Sequence, residues 1–135
     1  MTRRPGTSGA AAVEFALAGT VLLIVIFGVV EWSWYLYQHL ALVRASDRGA
    51  RLAAATPTEG DPAVEAQAAV DAALRQFGLD PARAMVQTTR SGAAGAEVIT
   101  VQVELSGAAM VGISLVPDST GARASQHFEA VGPVD

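Results

Sequence analysis

Gly9-Ala10-Ala11-Ala12-Val13-Glu14-Phe15, followed by the apolar run Ala16 to Val30 (ALAGTVLLIVIFGVV), decides how the rest of the chain is read. Between Phe15 and Val30 there is no charged side chain, and Thr20 carries the only hydroxyl. With Ala10 to Val13 added, the run is roughly 20 residues. As a helix it spans about 30 Å, which matches the hydrocarbon core of a bilayer. Gly19 and Gly28 would weaken a soluble helix, but glycine is common in membrane helices, where it lets neighbours approach. Trp32, Trp34, Tyr35 and Tyr37 follow directly. Aromatic side chains of this kind gather at the headgroup level, one end apolar and one end wet, so these four are candidate membrane-interface anchors. A buried helix of a soluble protein is disfavoured by the length and uniform apolarity of the run and by this belt.

Glu14 interrupts the pattern. Near the end of a membrane helix a carboxylate can reach the headgroups and sits favourably at the positive end of the helix dipole. Drawn into hydrocarbon it costs a few kcal/mol, and its retention then points to function. The residue alone does not choose between these two placements.

Length and composition narrow the field. Of the 135 residues, about 80 lie beyond the helix, enough for one small domain with a thin core and too few for a catalytic domain of ordinary size beside it. The chain has no cysteine, which excludes disulfides, zinc-thiolate sites and thiol catalysis. A net charge of −4 and a pI near 5.0 argue against a nucleic-acid partner. His39 and His127, the only histidines, have no spacing to each other or to carboxylates that suits a metal. No serine sits in a Gly-x-Ser-x-Gly elbow, and Ser91-Gly92-Ala93-Ala94-Gly95 lacks the Gly-Lys-Ser/Thr of a phosphate loop. The expectation is a non-enzyme with no cofactor, no metal and no small-molecule substrate.

Taken in order, Met1 to Ser8 is short and polar, with Arg3 and Arg4 its charged residues. The apolar run is long for a secretory signal, and Val29-Val30-Glu31-Trp32 lacks a small-residue cleavage pattern. Arg3 and Arg4 favour a cytoplasmic N-terminus, while Arg44, Arg48 and Arg51 counter them from the other side, so charge alone leaves the orientation open. The helix is expected to continue to about Ala55, with the three arginines on one side and Asp47 within reach of Arg44 or Arg51. That stripe reads either as a solvated face or as a contact with anionic lipid or another subunit, the solvated face being preferred. Gly49-Ala50 offers a side on which another helix could approach.

Thr56 to Gly60 breaks the helix around Pro57. Asp61 reads as an N-cap with Pro62 at the first helical position, and the second helix runs from about Pro62 to Phe77 with Gly78 as its C-terminal glycine. Met85 to Arg90 is a candidate strand. Ala96 to Leu105 alternates well, with Ile99, Val101, Val103 and Leu105 on one face, and the two read as a hairpin. Met110 to Val116 is a tucked loop or short strand, turned at Pro117-Asp118-Ser119. Ala122 to Val131 is a last strand with Ala124, Phe128 and Ala130 inward. The fold class is therefore α+β: a long N-terminal transmembrane helix extending into a small head with a second helix and a short antiparallel sheet.

The opening residues resemble a known junction. Gly9, four residues, and then Glu14-Phe15 is similar to the leader junction of type IV prepilins of the Flp (tight-adherence) branch. The continuation resembles the TadE-like family of pilin-like proteins, through Ala11-Ala12-Val13-Glu14-Phe15-Ala16-Leu17, Gly28-Val29-Val30-Glu31 and Arg48-Gly49-Ala50-Arg51-Leu52-Ala53. It covers about the first 55 residues, and it is the ordered set that is specific. The family often has a proline early in the apolar run; Gly19-Thr20 stand there instead, so no kink is carried over. The resemblance implies a prepilin peptidase cutting between Gly9 and Ala10, with residues 1–9 as leader, 10–55 as membrane and extended helix, and 56–135 as an extracytoplasmic domain. It implies a single-pass protein of the bacterial inner membrane, N-terminus in the cytoplasm. Its partners would be inner-membrane lipid, the peptidase and other pilin or pilin-like subunits, serving pilus assembly, adhesion or a related secretion machine. Glu14, fifth after the cut, would pair with the terminal ammonium of a neighbouring subunit. A plain single-pass anchored periplasmic domain is the alternative.

Overall fold

The computed structural model describes residues 7–56, 60–92, 97–107, 117 and 119–128. Helix α1 runs unbroken from Thr7 to Ala55. Its two halves have different surroundings. Gly9 to Val30 touches nothing outside its own helix closely enough to be buried, and the most apolar 18-residue window, with mean hydropathy 2.5, has none of its residues buried. From Glu31 onward a stripe spaced by three and four residues goes under the head: Glu31, Gln38, Ala41, Leu42, Ala45, Ser46, Ala50 and Ala53 are each 1% exposed or less. This is the helical period of one buried face.

Thr56 ends α1. Its hydroxyl donates to the Leu52 carbonyl at 2.9 Å, and the proline that follows in sequence disfavours further helix. Helix α2, Pro62–Gln76, begins as its sequence predicts. The Asp61 carboxylate accepts from the Ala63 amide at 2.9 Å and Pro62 fills a position with no amide to satisfy. It ends on a Schellman turn: the Gly78 amide bonds the Arg75 carbonyl and the Leu79 amide the Leu74 carbonyl, with Gly78 at φ +68° and Leu79 and Leu74 both in the core. The Asp-Pro device then recurs, unread in the sequence. Asp80 accepts from the Ala82 amide at 3.0 Å and opens a single 3₁₀ turn, Pro81–Arg83.

Strands β1 (Ala84–Ser91), β2 (Glu97–Ser106) and β3 (Ser119–Phe128) form one antiparallel sheet in the order β1-β2-β3. The alternation of β2 holds: Ile99, Val101, Val103 and Leu105 are at most 1% exposed and lie against α1 and α2. The other face is polar. Arg123 donates to Gln102 at 2.7 Å and Gln102 donates to Glu104 at 2.9 Å; Arg90 pairs with Glu97 on the helix-side face, at the end of the sheet beyond Ile99. The head is thus two layers, helices on one face of a sheet, as an antiparallel sheet with one solvated face allows.

The last strand starts earlier than its sequence suggests. Ser119, Thr120 and Gly121 belong to β3, paired with Ser106, Leu105 and Glu104. Gly121 reads as a loop residue, yet here it gives room: an added Cβ would lie 3.3 Å from the Glu104 side chain. Ala124 packs on the core and Arg123 and Ser125 face outward, as expected. Met110 to Val116, Asp118, most of the 91–95 turn and residues 129–131 lie outside the described residues.

Candidate functional site: the bare half of the long helix

Gly9 and Ala10 lie in the first turn of α1, exposed, and a Cβ on Gly9 would meet nothing within 4 Å. The junction is therefore open on every side. Phe15 is 81% exposed. Glu14 makes no hydrogen bond or ion pair among the described residues. It borders a shallow, almost wholly apolar groove with Leu17, Ala18, Val21, Leu22 and Val25. An unpartnered carboxylate on a lipid-length apolar helix needs headgroup water or a cation from elsewhere. Thr20 and Ser33 solve the same problem locally, donating to the Ala16 and Val29 carbonyls at 2.9 and 2.7 Å.

The four aromatics divide. Trp32 is about half exposed and meets Tyr35 edge-on, with centroids 5.8 Å apart. Trp34 stacks on Tyr37 at 5.7 Å and packs against the core. Tyr37 meets Phe77 edge-on at 6.2 Å, and its hydroxyl donates to the Phe77 carbonyl at 2.9 Å. Trp34 and Tyr37 therefore bind the end of α2 to the long helix just past the apolar run, whatever they also do at a membrane surface. Arg44 sits 5.8 Å over the Phe77 ring, a cation–π contact that continues the cluster. Arg51, not Arg44, pairs with Asp47, at 3.0 Å, and Arg48 is exposed.

At Gly49 helices α1 and α2 meet closely. A Cβ there would lie 2.9 Å from the Val70 side chain and 3.3 Å from the Ala66 carbonyl. The side offered by Gly49 and Ala50 is thus taken by the chain's own second helix. Sequence reasoning missed Glu31 and Gln38, both 1% exposed. Their signal was their spacing of seven, which puts them on the stripe of Ala45. His39 lies 3.2 Å through Nδ1 from the Thr120 hydroxyl. Among the described residues no group of three or more His, Asp or Glu could hold a metal ion.

These features define a class: a small α+β head carried on one helix that is long and apolar enough to cross a membrane. A likeness to one family lies in the helix itself. Residues 9–51 match the family model of TadE-like proteins, the family that the junction and the Arg48-Gly49-Ala50-Arg51 segment resemble. The match covers most of α1 and none of α2 or the sheet, and it points to the tight-adherence pilus system and association with pilus components in general terms. No curated protein and no solved structure matches the chain.

Proposed function

We propose that this protein is a minor pilin-like subunit, a pseudopilin, that takes part in assembling a Flp-type pilus or a related secretion machine. It is inserted in the inner membrane with its N-terminus in the cytoplasm and its head outside, and a prepilin peptidase removes residues 1–9. Its mechanism is packing rather than catalysis. The bare half of α1 enters a bundle of subunit helices, and Glu14 is neutralised by the new terminal ammonium, at Ala10, of a neighbour. Two charges that are each costly in lipid remove one another's cost, and their pairing fixes the subunit register.

One observation carries the reading. Gly9, Glu14 and Phe15 stand at prepilin spacing on a TadE-like helix whose first half is bare. The test is intact-mass and N-terminal analysis of protein extracted from membranes of cells with active prepilin peptidase. A chain beginning at Ala10 is expected; one still beginning at Met1 or Thr2 would sink the proposal. Glu14→Gln should leave cleavage intact and lower recovery of the subunit in sheared pilus fractions. The anchored periplasmic domain, the second reading, predicts an uncut chain and no such loss.

A further inference from the structure

The half of α1 that carries the head has a second apolar side. Turned away from the head, Trp32, Leu36, Leu40 and Val43 are between 43 and 58% exposed. They continue a spacing that begins lower down. Leu22, Val29, Leu36 and Val43 are seven residues apart, and Ala18, Val25 and Trp32 fill the positions between them. At the next such position His39 is drawn toward Thr120, and Leu40 beside it takes the outer surface. A repeat of seven is the period of a seam between supercoiled helices, left-handed in sense.

Inside hydrocarbon such a face needs no partner, because lipid tails are as apolar as leucine. The seam does not stop there. Leu40 and Val43 lie about 15 and 20 Å beyond Val30 along the helix, farther than the headgroup region of about 5–8 Å on each side of a bilayer. Apolar residues at that height stand in water unless covered.

The seam also limits what can cover it. A helix that keeps seven-residue contact from Val43 down to Leu22 must itself run into the bilayer. The positions flanking the seam from Phe15 to Val43 carry no charge: Gly19, Ile26 and Ser33 on one side, Val21, Gly28 and Tyr35 on the other. Two copies side by side meet no like-charge repulsion there, and a partner with charged flanks would find no counter-charge. Gly19 and Gly28, where a Cβ would meet nothing within 4 Å, leave room for a close backbone. In one membrane, two copies with their heads on the same side are necessarily parallel.

We propose that α1 pairs in parallel with α1 of a second copy along the seam from Ala18 to Val43, the two heads facing away from each other. This rests on α1 crossing a membrane and on neither leader cleavage nor a pilus role. It is tested on the uncut, purified protein, where failure of the pilus reading has no effect.

The chain has no cysteine, so single cysteines report cleanly. Leu36→Cys and Val43→Cys, each reconstituted in phosphatidylcholine vesicles at high lipid excess and oxidised, should give a reducible band at twice the monomer mass. Arg48→Cys, exposed but off the seam, should stay monomeric. Leu36→Arg should halve the detergent-corrected mass in light scattering while leaving the circular dichroism of the head unchanged, because Leu36 faces away from it. Equal cross-linking at position 48, monomers at all three positions, or adducts only with a different protein in cell membranes would each overturn the proposal.

Discussion

Gly9–Val30 and Glu31–Ala55 are two halves of one helix, with no break in their backbone hydrogen bonding and very different reasons for being helical. Glu14 apart, the lower half is apolar on every side, and it is bare on every side. An isolated helix of that kind is held in lipid, where each backbone group must bond within the segment. The upper half is held by packing, with its buried stripe built largely of alanine so that the sheet and α2 can come close. In a membrane the same fold element would be stabilised by solvent in one half and by tertiary contact in the other. A substitution of one type should therefore weaken the head above Val30 and leave it unchanged below.

The largest contrast is expected for leucine truncation. Leu42 is fully buried in a core assembled from few large side chains, so Leu42→Ala should cost the head about 2–5 kcal/mol. Leu23, 54% exposed in the bare half, has no head contact to lose, and Leu23→Ala should leave the transition in place. Urea unfolding of the detergent-solubilised protein, followed by tryptophan fluorescence, measures both. Equal shifts would mean that the lower half packs on the head in a way the structure does not contain.

Glycine gives the next contrast. Gly49→Val puts a branched side chain into a gap already filled by Val70 and the Ala66 carbonyl, and overpacking of this kind costs about 1–3 kcal/mol. Gly28→Val meets open space on the same helix and should not lower the midpoint of head unfolding. If Gly49→Val is neutral, α1 and α2 are not in close contact in solution, and the structural reason for the small residues of the Arg48-Gly49-Ala50-Arg51 segment is wrong.

These pairs also show where the sequence was legible. The span, the Asp61-Pro62 start and Gly78 stop of α2, and the alternation of β2 depend on local chemistry, and each appears where its residues predict. The upper face of α1 depends on tertiary contact and was not readable in the same way. Alanines occur on several of its sides, so periodicity does not choose which side the head covers. Glu31 and Gln38 look like solvent-facing residues and are under the head instead. The start of β3 was missed because Gly121 is a turn residue by composition, and only pairing with Glu104 makes it a strand residue. At the junction only a spacing shared with a family singles out Gly9, Glu14 and Phe15. What Glu14 meets is not encoded nearby, since nothing within the described chain reaches it.

The smallest effect is expected at Gln38, and its sign is informative. In the bare half the hydroxyls of Thr20 and Ser33 bond back to their own helix, which a short side chain can do and glutamine does poorly. Gln38 is buried, and both its amide nitrogen and oxygen lack partners among the described residues. An unbonded buried amide carries its full desolvation cost, so removing both polar atoms while keeping the shape should be neutral or favourable. Gln38→Met is accordingly expected to stabilise the head by up to about 1 kcal/mol, read as a higher urea midpoint at unchanged slope. The reason to retain glutamine would then be specificity of packing rather than stability. A destabilised Gln38→Met protein would show instead that the amide is hydrogen-bonded in solution, through water or a neighbouring subunit, and that the upper half, like the lower, is complete only with a partner.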